Sequence, residues 1–245
     1  DRQLAQQGRD ILNKALIQHP QDPQLLTFKA RILISESTAP ALQQASQILQ
    51  KVIDTNPTSE KAYTLYANLL LNQQQTSKAM DTVLQGLVNN PENKNLLLLK
   101  ARIEANQSPI LAIPTLSSLH QADPNDHQTA LRLAEMYIEA DENESAISLL
   151  EKQLNNSKDP ALQKGYTLAL AVALHKDGQT QQSNDIFNAL YKQNPADGSI
   201  LNTHVNLLMQ HADYDQIKTR INDFASKNPD DHSTMIAVAE KLARV

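Results

Sequence analysis

The sequence predicts an all-α solenoid of antiparallel helix pairs with about 14 helices, and three observations predict it. The first is punctuation at a near-constant interval. His19-Pro20, Asn56-Pro57, Asn90-Pro91, Asp123-Pro124, Asp159-Pro160, Asn194-Pro195 and Asn228-Pro229 recur along the chain, with successive prolines 37, 34, 33, 36, 35 and 34 residues apart. A residue before Pro is pushed out of the α region, so each pair interrupts a helix. The second is the pattern between breaks, where large apolar residues recur at i, i+3, i+4 and i+7 beside a small one. The third is composition. Of 245 residues 40% are hydrophobic and 20% charged, which supports an ordered core, while only 5 glycines argue against a fold of many tight turns.

The register fixes each element. With Glu60 as position 1, Tyr63, Tyr66, Ala67 and Leu70 fall at positions 4, 7, 8 and 11, and Ala79, Val83, Gly86 and Pro91 at 20, 24, 27 and 32. The stretch from Lys164 agrees through Leu170, Ala171, Leu174, Gly178, Ser183, Phe187 and Pro195. This alternation of large and small residues resembles the tetratricopeptide repeat over the full length of the chain. Two antiparallel helices approach closely only where one presents Ala, Gly or Ser, and the large residues fill the seam. The first helices of the pairs (A) are expected at 23–35, 60–72, 94–106, 127–140, 161–176, 198–210 and 232–243. The second helices (B) are expected at 2–18, 41–54, 76–89, 109–121, 143–155, 180–192 and 214–226. Asp177-Gly178 is a helix stop, with Gly suited to the left-handed position.

Four departures stand out. The first A–B turn, near Ser35 to Pro40, is about three residues long for the pattern. The third repeat is one residue short, and Pro114 lies inside its B helix, where it removes a hydrogen bond and is expected to kink it. Pro109 suits a first helical turn. In the fourth repeat Lys158 stands where Pro is expected, and the break shifts to Asp159-Pro160. The array is read as one domain over 1–245: a half repeat 1–20, repeats 21–57, 58–91, 92–124, 125–160, 161–195 and 196–229, and a half repeat 230–245. Half repeats at both ends predict a piece of a longer array, and self-association through the uncapped ends is a further expectation.

Several function classes are excluded or disfavoured. With no Cys, disulfides, thiolate zinc sites and cysteine nucleophiles are impossible. A net charge of −5 and 4% aromatic residues disfavour nucleic acid. No apolar run is long enough to span a membrane, and the first five residues are not a signal peptide. The charge is uneven: residues 1–122 carry 11 basic and 9 acidic side chains, residues 123–245 carry 11 and 18. The glycines are scattered, so no phosphate-cradling loop is present, and there is no His-Glu-x-x-His. The seven histidines, His19, His120, His127, His175, His204, His211 and His232, read as surface or turn residues. The pairs His120/His127 and His204/His211 straddle predicted helix ends and are not expected to face one metal. The acidic clusters Asp141/Glu142/Glu144, Asp213/Asp215 and Asp230/Asp231 fall in turns or first helical turns, where acids favour the positive helix end. No catalytic residue, cofactor or metal is predicted, and the chain is not expected to be an enzyme.

The resemblance implies a right-handed superhelix whose inner wall is formed by the A helices. In this family positions 2, 5, 9 and 12 of the A helix face that groove. Position 9 reads Arg31, Asn68, Arg102, Glu135, Val172 and Asn206, and position 5 reads Thr27, Thr64, Leu98, Leu131, Leu168 and Asn202. Position 12 contributes Ile138. The predicted partner-binding groove is thus Arg31, Asn68, Leu98, Arg102, Leu131, Glu135, Ile138, Leu168, Val172 and Asn206. Arg31 and Arg102 suit acidic groups, and the aliphatics suit apolar anchors of an extended or helical segment. The alternative is that these aliphatics pack between neighbouring A helices. The carboxylate clamp of co-chaperone members is not assembled here. Asn68, Asn206 and Arg132 match it, but Thr64 and Asn202 stand where it needs Lys at position 5, and Gln128 where it needs Lys at position 2.

The expected function is a non-catalytic scaffold that binds a protein or peptide in the concave groove. The texture, rich in Gln and Asn, without Cys, with degenerate repeats joined by Asn-Pro, is similar to that of long arrays in Gram-negative envelope proteins, the exosortase and exopolysaccharide lipoproteins nearest. That resemblance implies a periplasmic or envelope address in an assembly or export system, with the cytoplasm as the alternative. The alternative function is a substrate-recruiting or regulatory segment of a larger enzyme such as a glycosyltransferase.

Overall fold

The computed structural model describes residues 2–210 and 212–243. Among them are fourteen α-helices and no strand. In order these are α1 (Arg2–Gln18), α2 (Pro23–Glu36), α3 (Ala39–Thr55), α4 (Glu60–Asn72), α5 (Thr76–Asn89), α6 (Lys94–Gln107) and α7 (Pro109–Ala122). They continue as α8 (His127–Glu139), α9 (Asn143–Asn156), α10 (Pro160–Lys176), α11 (Thr180–Gln193), α12 (Gly198–Gln210), α13 (Tyr214–Lys227) and α14 (His232–Leu242). Even-numbered helices are the A helices. Every predicted helix is present, with its ends within two residues of expectation.

The chain divides into two compact units, Asp1–Leu119 and His120–Val245, and the division falls inside α7. In the first unit α2, α4 and α6 pack side by side, backed by α3 and α5. In the second unit α8, α10, α12 and α14 form the row, backed by α9, α11 and α13. Position 8 explains the close approach: Ala30, Ala67, Ala101, Ala134 and Ala171 are all buried. Around them the first core gathers Leu49, Ile53, Tyr63, Leu70, Val83 and Leu96. The second unit has two clusters, one around Leu150, Tyr166 and Leu174, the other around Phe187, Ile200, Val205 and Phe224. Gly86 shows why a small residue is needed, since a Cβ there would stand 2.9 Å from both Leu96 Cδ1 and Tyr63 Cγ.

Side-chain caps mark several helix starts. Asp22 accepts hydrogen bonds from the N–H groups of Gln24 (2.9 Å) and Leu25 (2.8 Å), and Asn93 from Leu96 N–H (3.0 Å). Gly178 ends the α10 turn at φ +82°, as the helix stop predicts. The same turn position in other repeats holds Gln74 (φ 60°), Asp141 (φ 60°) and Ala212 (φ 53°), so the left-handed step is a property of the turn and not of glycine.

Two of the departures resolve differently from expectation. The extra residues near Ser35 do not lengthen the turn. Ser37 (φ 55°) and Thr38 make the whole connection, and α3 lengthens to 17 residues. Asp159-Pro160 is not a shifted break. Asp159 caps α10 through Ala161 N–H (2.8 Å) and Pro160 takes the first helical position, where it needs no donor. The short third repeat joins α6 to α7 through Ser108 alone. The α7 helix runs on through Pro114. The next residue, Thr115, is held by α6: Lys100 Nζ donates to its hydroxyl (2.7 Å), which donates to Glu104 Oε2 (2.9 Å).

Candidate functional site

The A-helix positions not used for helix pairing form two faces, one in each unit. In the first unit α2 and α6 both pack against α4, which sets their position-9 residues in a row. Asn68 is the middle of that row. Its amide Nδ2 donates to Thr64 O (2.8 Å), and its Oδ1 accepts from Arg102 Nη2 (2.5 Å). Asn68 is therefore occupied in aiming a guanidinium. Arg31 is exposed, and its guanidinium lies over the Phe28 ring, 4.7 Å from the centroid. Phe28 was not predicted as a site residue, although its place three residues before Arg31 puts both on one helix face. Leu98 is half-buried. At the helix starts Asn95 Nδ2 donates to Glu60 Oε1 (2.6 Å); hydrogen bonds from Asn95 and Asn93 hold that carboxyl below its ordinary range.

In the second unit the predicted aliphatics are all half-buried. Leu131 and Ile138 pack against the cluster around Tyr166, and Leu168 and Val172 against the cluster around Phe187. Glu135 is exposed among them. Desolvation, then the neighbouring Glu139, raise its carboxyl above the usual range, and Arg132 opposes the shift. Asn206 is exposed, while Asn202 is engaged with Gly198 O (3.0 Å) and Lys241 Nζ (3.2 Å).

Three histidine placements depart from the surface-or-turn reading, the first being His175, which is buried. His204 is 1% exposed, stacked parallel on Phe187 with centroids 4.0 Å apart, and its Nδ1 lies 3.3 Å from Tyr191 Oη. Burial pushes its pKa down to about 4, with Arg220 and His175 adding to the shift. Register position 7 is a core position, and that signal was available. His120 and His127 join one polar chain: His127 Nδ1 is 2.7 Å from Tyr166 Oη, which is 3.4 Å from Gln153 Oε1, and Gln153 Nε2 is 3.4 Å from His120 Nε2. Among the described residues no group of three His, Asp or Glu is placed to hold a metal, and His211 lies outside them. A cavity of about 400 Å³ lies at the A–B turns of the second unit, lined by His175, Lys176, Thr180, Asn184, Leu208 and Asp213. None of the predicted groove residues lines it. No helix among the described residues is long and apolar enough to cross a membrane.

The model of the tetratricopeptide repeat matches residues 41–103 and 105–168, just over half of the chain. The chain belongs to the tetratricopeptide repeat family. No curated protein matches it. Among solved structures, a tetratricopeptide repeat protein from Parabacteroides merdae aligns over 91% of this chain and 86% of its own, with a TM-score of 0.69 at 16% identity. Pseudomonas aeruginosa pilF aligns over 95% and 99% (TM-score 0.54, 16% identity). YrrB, described as a TPR protein with an unusual peptide-binding site, aligns over 92% and 96% (TM-score 0.50, 14% identity). At these identities the likeness is one of fold. Tetratricopeptide repeat proteins are interaction scaffolds in general, so protein or peptide partners follow from membership.

Proposed function

We propose that this chain is a non-catalytic scaffold that holds an extended or helical segment of another protein on the A-helix faces. One observation carries the reading. In the first unit Leu98 remains half-buried on a face with the exposed Arg31 and Arg102, and in the second Leu131, Ile138, Leu168 and Val172 remain half-buried on a face with the exposed Glu135 and Asn206. Helix pairing alone does not require aliphatics at these positions, and each keeps area that a partner would remove from water. Packing within the unit holds these side chains in place, so little rotamer freedom is left to lose on binding. YrrB, of the same fold, is described as having a peptide-binding site, which supports a peptide as occupant. The reading extends to a bacterial envelope assembly or export system, on the Gln- and Asn-rich, cysteine-free texture alone. Cell fractionation checks that part, and a cytosolic location removes it.

Site-specific photo-crosslinking tests the groove. A photoreactive residue is placed at the exposed positions Arg31, Glu135 or Asn206, and at Gln85 or Asp185 on B helices as controls. The expected result is one partner band from A-helix positions and none from the controls. Equal bands, or bands from the controls only, overturn the reading.

A further inference from the structure

Resting on that groove reading, we infer that the A-helix face of residues 1–119 is a receptor for an extended acidic segment whose two carboxylate side chains are about six residues apart. Two guanidiniums on this face are set in place before any ligand arrives. Arg31 lies over the ring of Phe28, 4.7 Å from its centroid, a contact that leaves its N–H donors without a hydrogen-bond acceptor among the ring's atoms and open to a carboxylate. Arg102 is fixed at one nitrogen by Asn68, and the remaining donors are left for a second partner. Among the described residues no carboxylate pairs with either one.

Three acids on the A helices of this unit are paired elsewhere. Glu36 pairs with Arg9 (2.7 Å), Glu104 with Lys100 (2.5 Å), and Glu60 accepts from Asn95. Un-neutralised, pre-oriented arginines select carboxylates, because two parallel N–H bonds match the two oxygens.

The spacing follows from helix packing. Neighbouring packed helices lie 8–10 Å apart, and α2 and α6 are separated by α4, so the two arginines stand roughly 16–20 Å apart along the face. An extended chain advances about 3.3 Å per residue, which gives about five or six residues. Six keeps both side chains on one side of the segment, whether it repeats every two residues as a strand or every three as polyproline II. The half-buried Leu98, one turn before Arg102 on α6, offers an apolar contact to the segment beside that arginine.

Peptide display tests this with the full chain as bait. A random 15-residue library joined through its C-terminus carries no free terminal carboxylate, so only side-chain acids are sampled. Enriched peptides are expected to carry Asp or Glu at i and i+6. Synthetic amidated copies should lose at least tenfold in affinity on Arg31→Ala or Arg102→Ala, and bind more weakly as salt rises. The double variant Arg31→Glu with Arg102→Glu should select Lys or Arg at the same spacing. Both arginines are exposed, so unchanged melting of these variants is the folding control.

Enriched peptides without the acidic spacing, or indifferent to both arginines, overturn the inference. If such peptides are instead lost on Leu131→Glu with Leu168→Glu, the groove reading survives without it. If no peptide is enriched on the folded wild-type chain, both fall.

Discussion

At position 9 of the A helices, residues 1–119 carry Arg31, Asn68 and Arg102, whereas residues 120–245 carry Glu135, Val172 and Asn206. At position 5 the first unit has Thr27, Thr64 and Leu98; the second has Leu131, Leu168 and Asn202. One face is a hydrogen-bonded polar row with cations aimed outward. The other is aliphatic, with an acid whose charge is disfavoured by its surroundings. Overall charge follows the same division, 11 basic against 9 acidic side chains in residues 1–119 and 11 against 18 in residues 120–245. The difference teaches which positions the repeat controls. Position 8 meets the neighbouring helix and is buried in both units, as Ala30, Ala67 and Ala101 in the first and Ala134, Ala171 and Val205 in the second. Positions 5 and 9 are half-buried or exposed in both units, so the same backbone carries two chemistries there, and specificity lies in those side chains.

The cores differ as well, and mild acid should separate them. The first unit has a single histidine, the exposed His19, whereas the second buries His204 with a pKa near 4. Its folded value is below its ordinary value of 6.5, so the neutral form is the one the fold accepts. The stability this represents is fully present above pH 6.5 and is lost as the pH falls toward 4, amounting to roughly 3 kcal/mol. Desolvation also lowers the pKa of His120, which adds in the same direction. Hydrogen exchange at pH 7 and pH 4.5 should show protection falling in residues 120–245 well before residues 1–119. His204→Phe should remove most of that difference. Equal loss in both units, or unchanged acid sensitivity in the variant, would show that the stacked histidine does not control the response.

A substitution in the other core sharpens the contrast from the opposite side. Gly86→Ala forces a Cβ to within 2.9 Å of Leu96 and Tyr63, both fully buried. Overpacking of this kind costs about 1–3 kcal/mol. The loss should be confined to residues 1–119 in the same exchange experiment. Gly8→Ala is the control: nothing lies within 4 Å of its added Cβ, and the helix gains up to ~1 kcal/mol from propensity alone. A neutral Gly86→Ala would mean that Tyr63 yields by a rotamer change, and that position 27 tolerates more than the seam geometry implies.

Much of the fold was legible because punctuation and packing use the same residues. Asn56-Pro57 and Asn90-Pro91 both end a B helix and begin a tight turn, so the break read from sequence is the break in space. Asp159-Pro160 misled because the same dipeptide also opens a helix: Asp caps and Pro fits the first turn. The extra residues near Ser35 were read as loop, since sequence shows an insertion's length and not whether a helix absorbs it. In the candidate site, register gave each residue its position along its helix. It did not show that Asn68 is consumed in orienting Arg102, or that Phe28 supports Arg31, because both depend on rotamers set by neighbours. His204 was misplaced for a simpler reason. Its residue type was weighed more heavily than its position 7, which the packing buries.

The A–B turns give the smallest and most local contrast. Gly178 and Ala212 occupy equivalent left-handed positions of the second unit at φ +82° and +53°, and Gln74 occupies the same position of the first at φ 60°. A side chain with a Cβ meets the following carbonyl there, at a cost of about 1–2 kcal/mol, and glycine does not. Against this stands the larger backbone entropy glycine loses on folding, of order 0.5–1 kcal/mol. The net expectation is that Ala212→Gly stabilises residues 120–245 by about 0.5–1 kcal/mol, and Gly178→Ala destabilises the same unit by a similar amount. Gln74→Gly should give the corresponding gain in residues 1–119. Denaturant midpoints resolve changes of this size when the slope is constant. A fall in midpoint for both glycine substitutions would mean that hydrogen bonds closing the turn, such as Asp213 N–H to Leu208 O (3.1 Å) and Gln75 N–H to Leu70 O (2.9 Å), already hold the left-handed step without strain.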